Sequence, residues 1–140
     1  MSSQENKAIA RRYFEEIMNQ GNMAVIDELI SSNFVLNIPN VPQGIHGIQD
    51  FKDFVTSLRT AFPDVCFTVE REIAEESKAA IRWTQRGTQK GSLFGIPPTG
   101  KVVTDQGINI FHITDGKIEG VWLVEDTEGV MQQLGAIPTR

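Results

Sequence analysis

The sequence is poor in the residues that form covalent cross-links and metal sites. It contains one cysteine, Cys66, and two histidines, His46 and His112, among 140 residues. A single cysteine cannot form a disulfide within the chain and is typical of a protein in a reducing compartment. The two histidines are distant in sequence, and neither belongs to a cluster with metal-ligand spacing. We therefore expect no metal site.

Long hydrophobic runs and an excess of positive charge are also lacking. No stretch approaches the ~18 consecutive apolar residues of a membrane span, and the polar N-terminal segment does not resemble a signal peptide. The chain has 18 acidic and 13 basic residues, a net charge of -5, which does not predict binding to nucleic acid. These features predict one soluble cytoplasmic domain over residues 1–140, without membrane or nucleic-acid partners.

Apolar periodicity predicts the elements of this domain. Ser2 and Glu5 have the spacing of a helix-capping box, and Pro63 is expected to end a helix. The spacing predicts helices over 3–20, 23–31, 48–62 and 127–134, and strands over 34–38, 66–74, 79–88, 102–113 and 117–125. Helices gathered before a run of consecutive strands favour an α+β fold with a mainly antiparallel sheet.

The dipeptide Asp115-Gly116 predicts a tight hairpin between the last two strands. A two-residue loop places Asn109 opposite Trp122 and Asp105 opposite Asp126. Both faces of this hairpin carry apolar residues, whereas a sheet covered on one side alone would have one polar face. One face is expected to meet the helices and the other a second copy of the chain, so we predict a homodimer.

Cofactor binding is not expected, although one segment is similar to a phosphate-binding loop. In the segment 95–101, GIPPTGK, two prolines remove backbone N–H groups that would hold a phosphate. Val102 stands where that motif has Ser or Thr, and a strand follows instead of a helix.

Asp126 and Asp105 are the candidate acid–base residues. Asp126 precedes the last helix, where it either caps that helix or lies at the mouth of an apolar cavity, facing Trp122. In the cavity, desolvation would raise its pKa and make it a proton shuttle. Asp105 either reinforces this effect as a second nearby carboxylate or is solvated at the strand start.

Further polar and aromatic residues are candidates for binding a substrate. Tyr13 lies on the apolar stripe of the first helix, and Asn37 interrupts an apolar strand. Each is interpreted either as a cavity residue or as an ordinary core or edge residue. The candidates for substrate binding are Tyr13, Asn37, Trp83, Asp105, Asn109 and Trp122.

Motifs spread over nearly the whole chain carry a family resemblance. They are Arg11-Arg-Tyr-Phe-Glu-Glu, Ala61-Phe-Pro-Asp, Gly95-Ile-Pro-Pro-Thr-Gly-Lys, Asp115-Gly-Lys-Ile, Trp122-x-x-x-Asp126 and Gln132-Gln-Leu-Gly. Through them the sequence resembles the SnoaL-like polyketide cyclases of the nuclear transport factor 2-like superfamily. The resemblance implies a cone-shaped curved sheet packed against N-terminal helices, an apolar pocket and dimers formed through sheet faces.

The resemblance also implies an activity. In such cyclases an aspartate is the general acid/base of an intramolecular aldol condensation that closes a ring of a polyketide, without metal or cofactor. The matching position is Asp126. Two family histidines are replaced here, by Asn37 and by Val121.

The sequence is compatible with three functions. The first is a cyclase-type enzyme acting on a small apolar or polyketide-like substrate. The second is a protein of the same fold that binds a small apolar ligand without catalysis, which the missing histidines favour. The third is another reaction, either ketosteroid-type isomerisation with Tyr13 as the oxyanion donor or epoxide hydrolysis with Arg82, Asp105 and Asp126.

Overall fold

The computed structural model describes residues 2–39 and 41–138 of the chain. The helices are α1 (Ser3–Arg12), α2 (Met23–Leu29), α3 (Gly47–Ala61) and α4 (Thr127–Gln133), and a π-helical segment spans Tyr13–Met18. The strands are β1 (Ile30–Ile38), β2 (Val41–His46), β3 (Cys66–Ala74), β4 (Lys78–Thr88), β5 (Val102–Thr114) and β6 (Lys117–Glu125). This α+β architecture confirms the predicted fold class.

The strands form one curved, unclosed sheet in the order β2-β1-β6-β5-β4-β3. The β1–β6 pair is parallel and the other pairs are antiparallel. Inward-facing side chains alternate with exposed ones along β4 and β5, as the two-residue repeat of a half-buried strand requires. The helices cover the inner face. Within residues 2–39 and 41–138, none of the helices has the length and apolar composition of a membrane span.

The N-terminal helix begins as predicted and then changes its hydrogen bonding. The Ser2 side chain accepts a hydrogen bond from the Glu5 N–H at 3.1 Å, which confirms the cap. The helix predicted to continue to residue 20 gives way to the π-helical segment, whose end is marked by the Asn19 N–H donating to the Phe14 carbonyl at 2.9 Å. The side chain of Asn19 makes two hydrogen bonds with the backbone of Phe67, and these join the segment to β3.

The first two strands differ from the prediction. β1 begins at Ile30, so it includes the last two residues of the helix predicted over 23–31 and the two residues predicted to lie between that helix and the strand. β2 was not predicted because it contains Pro42 and Gly44, which both weaken a strand assignment. Its place at the edge of the sheet, where a missing N–H is tolerated, explains why this sequence can form a strand.

The last hairpin turns where predicted but pairs with a different register. Asp115 and Gly116 adopt positive φ angles of 50° and 76°, as a tight two-residue turn requires. An irregularity between His112 and Ile113 then shifts the pairing by one residue, so that Asn109 lies opposite Leu123 and not opposite Trp122. Because successive side chains of a strand point to opposite faces, the shift reverses the predicted orientation of the β6 side chains.

Candidate active site

A cavity of about 490 Å³ lies between the inner face of the sheet and the helices. Its wall is mainly aromatic and aliphatic, with contributions from the π-helical segment, α3, the loop before β5 and α4. The apolar residues include Tyr13, Phe14, Met18, Leu58, Phe62, Phe67, Trp83, Leu93, Phe94, Leu123 and Val130. A concave, largely apolar space with a few polar groups is the usual form of a small-molecule site.

Two carboxyl groups face each other inside this apolar wall. Asp105 lies on β5 and is 7% exposed, and Glu125 ends β6 and also lines the cavity. The two side chains are hydrogen-bonded to each other. One oxygen of Asp105, Oδ1, also accepts a hydrogen bond from the N–H of Gln106 at 2.8 Å. A hydrogen bond between two carboxyl groups needs a proton on one of them. The hydrogen-bonded pair therefore carries one proton.

Burial raises the pKa of Asp105 to about 8. Desolvation makes the largest contribution, followed by the hydrogen bond and the charge of Glu125. The backbone N–H groups of Gln106 and Asp126 favour the ionised form and lower the pKa by a smaller amount. Near neutral pH, Asp105 is therefore a protonated acid that can donate a proton and then accept one back.

A second polar group in the cavity consists of Tyr13, Asn109 and Trp83. The indole Nε1–H of Trp83 donates to Oδ1 of Asn109 at 2.9 Å, and the side chain of Asn109 is hydrogen-bonded to the Tyr13 hydroxyl. Tyr13 is 1% exposed, and burial raises its pKa well above the usual value. The phenol consequently stays protonated and available as a hydrogen-bond donor.

Two buried glutamines of the β4 strand and its continuation differ in their hydrogen bonding. Gln89 holds the loop before β5, because its side chain donates to three carbonyl groups and accepts from the N–H and hydroxyl of Thr99. Gln85 lies on the cavity wall opposite Asp105, and its Nε2 has no hydrogen-bond partner. Gln89 is therefore structural, whereas Gln85 retains an unused donor.

Four of the residues selected from the sequence lie together on the cavity wall. They are Tyr13, Trp83, Asp105 and Asn109. Asp126 is exposed and caps α4, with its Oδ1 accepting from the Gly129 N–H at 2.9 Å. Of the two interpretations of Asp126, the helix cap is the one whose contacts are present.

Asn37 and Trp122 lie outside this cavity. The expected contact of Asn109 with Trp122 is wrong, since the shifted register turns Trp122 outward, where it is 64% exposed. Both residues line a shallower depression of about 250 Å³ on the outer face of the sheet. Arg82 is also exposed on that face, so the Arg82–Asp105–Asp126 group considered for epoxide hydrolysis does not form.

Sequence reasoning missed Glu125 and Gln85. A signal for Gln85 exists, because it continues the inward row Ala79, Ile81, Trp83 by two-residue steps. Glu125 continues the inward row of Val121 and Leu123, but this row is identified only once the register of the hairpin is known. Among the described residues, no three His, Cys, Asp or Glu side chains are grouped as metal ligands.

The model of the SnoaL-like polyketide cyclases matches residues 8–134. The chain belongs to this family. It is 29% identical over 123 residues to nogalonic acid methyl ester cyclase of Streptomyces nogalater, an alignment that covers 84% of this chain and 88% of the relative.

Solved structures agree with this family membership. A candidate SnoaL-like polyketide cyclase from Jannaschia sp. CCS1 superimposes with a TM-score of 0.89 at 25% identity, covering 97% of this chain and 95% of its own. AclR from Streptomyces galilaeus, a candidate hydroxylase, gives a TM-score of 0.86 at 25% identity, covering 99% and 86%. The two structures are thus named for different candidate reactions.

Proposed function

We propose that this member of the SnoaL-like family is a cyclase-type enzyme that closes a ring by an intramolecular aldol reaction, with Asp105 and Glu125 as its acid–base pair. The observation that carries the proposal is a hydrogen-bonded pair of carboxyl groups inside an apolar cavity. Such a pair holds one proton between two groups, so it can accept a proton from carbon and deliver another to oxygen.

The proposed reaction conserves atoms and electrons. The ionised carboxylate of the pair removes a proton from a carbon next to a carbonyl group of the substrate. The resulting enolate carbon attacks a second carbonyl carbon of the same molecule, and a carbon–carbon bond forms. The protonated Asp105 gives its proton to the new alkoxide, and the proton gained by its partner restores the starting state of the pair.

The cavity supports this reaction by positioning and by excluding water. The mainly apolar wall favours a folded, apolar substrate and brings the two reacting carbons together, which lowers the entropic part of the barrier. We propose that the Tyr13 hydroxyl and the Asn109 amide orient a carbonyl group of the substrate, since both line the cavity next to each other.

Proton abstraction can be tested without knowing the natural substrate. The probe is 2-tetralone, a bicyclic ketone, whose incorporation of deuterium from D₂O is followed by NMR. We expect the wild-type protein to accelerate exchange and Asp105→Asn to lower that rate by about 100-fold or more. Glu125→Gln should have a similar effect, because it removes the partner carboxyl.

Asp126→Asn is the matched control. Asn is as good an N-cap as Asp, so this variant should fold normally and exchange 2-tetralone at the wild-type rate. Exchange lost in Asp126→Asn and kept in Asp105→Asn would overturn the proposal and support the assignment made from the sequence. Binding of 2-tetralone by the wild type without exchange would favour the ligand-binding alternative.

We also propose that the outer face of the sheet forms a homodimer interface. Ile108, Ile110, Trp122 and Val124 lie side by side on β5 and β6, and each is between 45% and 64% exposed. Adjacent exposed apolar side chains of this size mark an interaction surface. A second copy of the chain presents the same self-complementary patch.

A further inference from the structure

The Nε2 donor of Gln85 has no role in the hydrogen bonding of the fold or in the proposed proton transfer. Gln85 is 7% exposed, and its Nε2 is buried without a hydrogen-bond partner. A buried donor without a partner destabilises a folded protein, because it has lost its hydrogen bonds to water and gained none in return. Such a group calls for an explanation, and a ligand that accepts the missing hydrogen bond supplies one.

The position of Gln85 indicates the chemistry of that ligand. Gln85 and Asp105 are direct cross-strand neighbours on the inner face of β4 and β5, and both line the cavity. The N–H of an amide donates, so the complementary group is an acceptor. An acceptor next to the acid of Asp105 in an apolar space is best matched by a neutral carbonyl oxygen, because an ionised group would be costly to desolvate there.

We infer that Gln85 is a specificity-determining residue that binds a carbonyl oxygen of the substrate beside Asp105, and so selects ketones over hydrocarbons of the same shape. The inference rests on the proposed function, whose substrate class it narrows. When the carbonyl oxygen gains negative charge in an enolate or alkoxide, the same N–H donates a stronger, charge-assisted hydrogen bond.

The affinities of two ligands with nearly the same shape test this inference, and the test does not require a reaction. 2-Acetylnaphthalene and 2-isopropenylnaphthalene differ only in that a carbonyl oxygen of the first is a CH₂ group in the second. We expect wild-type protein to bind the ketone about tenfold more tightly, the effect of one hydrogen bond. In Gln85→Met, which keeps the length of the side chain and removes the donor, ketone affinity should fall about tenfold while alkene affinity changes less than twofold.

Thermal unfolding separates this role from a structural one. Gln85→Met breaks no hydrogen bond made by Nε2, so its Tm should equal or exceed that of the wild type. Gln89→Met, the matched control at a fully bonded buried glutamine, should lower the Tm. Equal binding of the two probes by the wild type, failure of the ketone to bind, or an unchanged ketone preference in Gln85→Met would each overturn the inference.

The experiments distinguish a failure of the role inferred for Gln85 from a failure of the acid–base role proposed for Asp105. The proton-transfer proposal is tested by deuterium exchange in Asp105→Asn, which keeps Gln85. A ketone preference that depends on Gln85, combined with exchange that does not depend on Asp105, would retain carbonyl recognition and reject the acid–base assignment. Exchange that depends on Asp105, without a ketone preference, would reject the role of Gln85 alone.

Discussion

At the scale of single residues, the environment of each carboxyl group decides its role. Asp126 is exposed and accepts a backbone hydrogen bond as a helix cap, whereas Asp105 is buried against Glu125. The same side chain is therefore a stabilising acceptor in one place and a protonated acid in the other. The backbone N–H of Asp126 also acts on Asp105, so the cap residue helps to set the electrostatics of the cavity.

The raised pKa of Asp105 predicts a pH dependence of stability. The unfolded carboxyl ionises near its ordinary pKa of 3.8 and the folded one near 8, so between these values the folded state binds the extra proton. The free energy of unfolding therefore falls as the pH rises from about 4 to 8, by at most about 1.4 kcal/mol per pH unit. Urea unfolding of wild type and Asp105→Asn across this range measures the difference.

The variant Asp105→Asn should lack this slope, because its amide does not titrate. Carboxylates with lowered pKa, such as Glu16 and Asp64, lose their stabilising effect only below about pH 4.5 and do not interfere between pH 5 and 8. Parallel curves for the two proteins over that range would contradict the prediction.

At the scale of elements, close packing of β4, β5 and β6 positions the polar groups of the cavity. Gly107 on β5 lies beneath the indole ring of Trp83, and a Cβ at this position would be 2.5 Å from the carbonyl oxygen of Val124. The absence of a side chain lets Trp83 reach Asn109 on the same face of the sheet. A glycine here is required by close approach and not by a positive φ angle.

Replacing Gly107 with alanine should disturb this packing. The new methyl group would overlap both Trp83 and a backbone oxygen that cannot move independently, so we expect Gly107→Ala to lower the free energy of unfolding by about 1–3 kcal/mol. Urea unfolding measures this loss, and a change in the near-UV circular dichroism of Trp83 reports the displaced ring.

Gly120→Ala provides the matched control for this experiment. Gly120 lies on the neighbouring strand β6, and a Cβ there would have its nearest contact at 3.6 Å, an ordinary van der Waals distance. We expect this variant to differ from the wild type by less than about 0.5 kcal/mol. An equal loss in both variants would mean that the effect comes from glycine replacement in a strand and not from the contact with Trp83.

At the scale of the whole molecule, the curved sheet separates two apolar surfaces. Its inner face encloses the cavity and its outer face exposes Ile108, Ile110, Trp122 and Val124. The inner surface is proposed to bind the substrate and the outer one a second copy of the chain. Substitutions on the outer face should therefore change the oligomeric state of the protein and leave the cavity unchanged.

The proposed dimer can be tested by light scattering coupled to size-exclusion chromatography. We expect a dimer for the wild type and a monomer for Trp122→Glu, because a charge buried in an apolar interface is costly to desolvate. Ile73→Glu, at an exposed apolar residue on the edge strand β3, should leave the dimer unchanged. A monomeric wild type, or loss of the dimer in Ile73→Glu alone, would contradict this interface.

Local sequence patterns alone determined most of the elements. The cap of α1 by Ser2, the cap of α2 by Asn22 and the turn at Asp115-Gly116 are each fixed by residues close together in the chain. Family motifs further specified the α+β class. The edge strand β2 escaped prediction because Pro42 is compatible with a strand only at an edge, and edges are known only from the assembled sheet.

Only the tertiary structure decided which carboxyl groups face the cavity. The irregularity near His112 shifts the β5–β6 register by one residue, turning Trp122 to the outer face and bringing Glu125 to Asp105. Since strand side chains alternate with a period of two, this single step exchanges the two faces. A sequence can indicate which residues bear the chemistry, but pairing between strands determines on which side of the sheet they act.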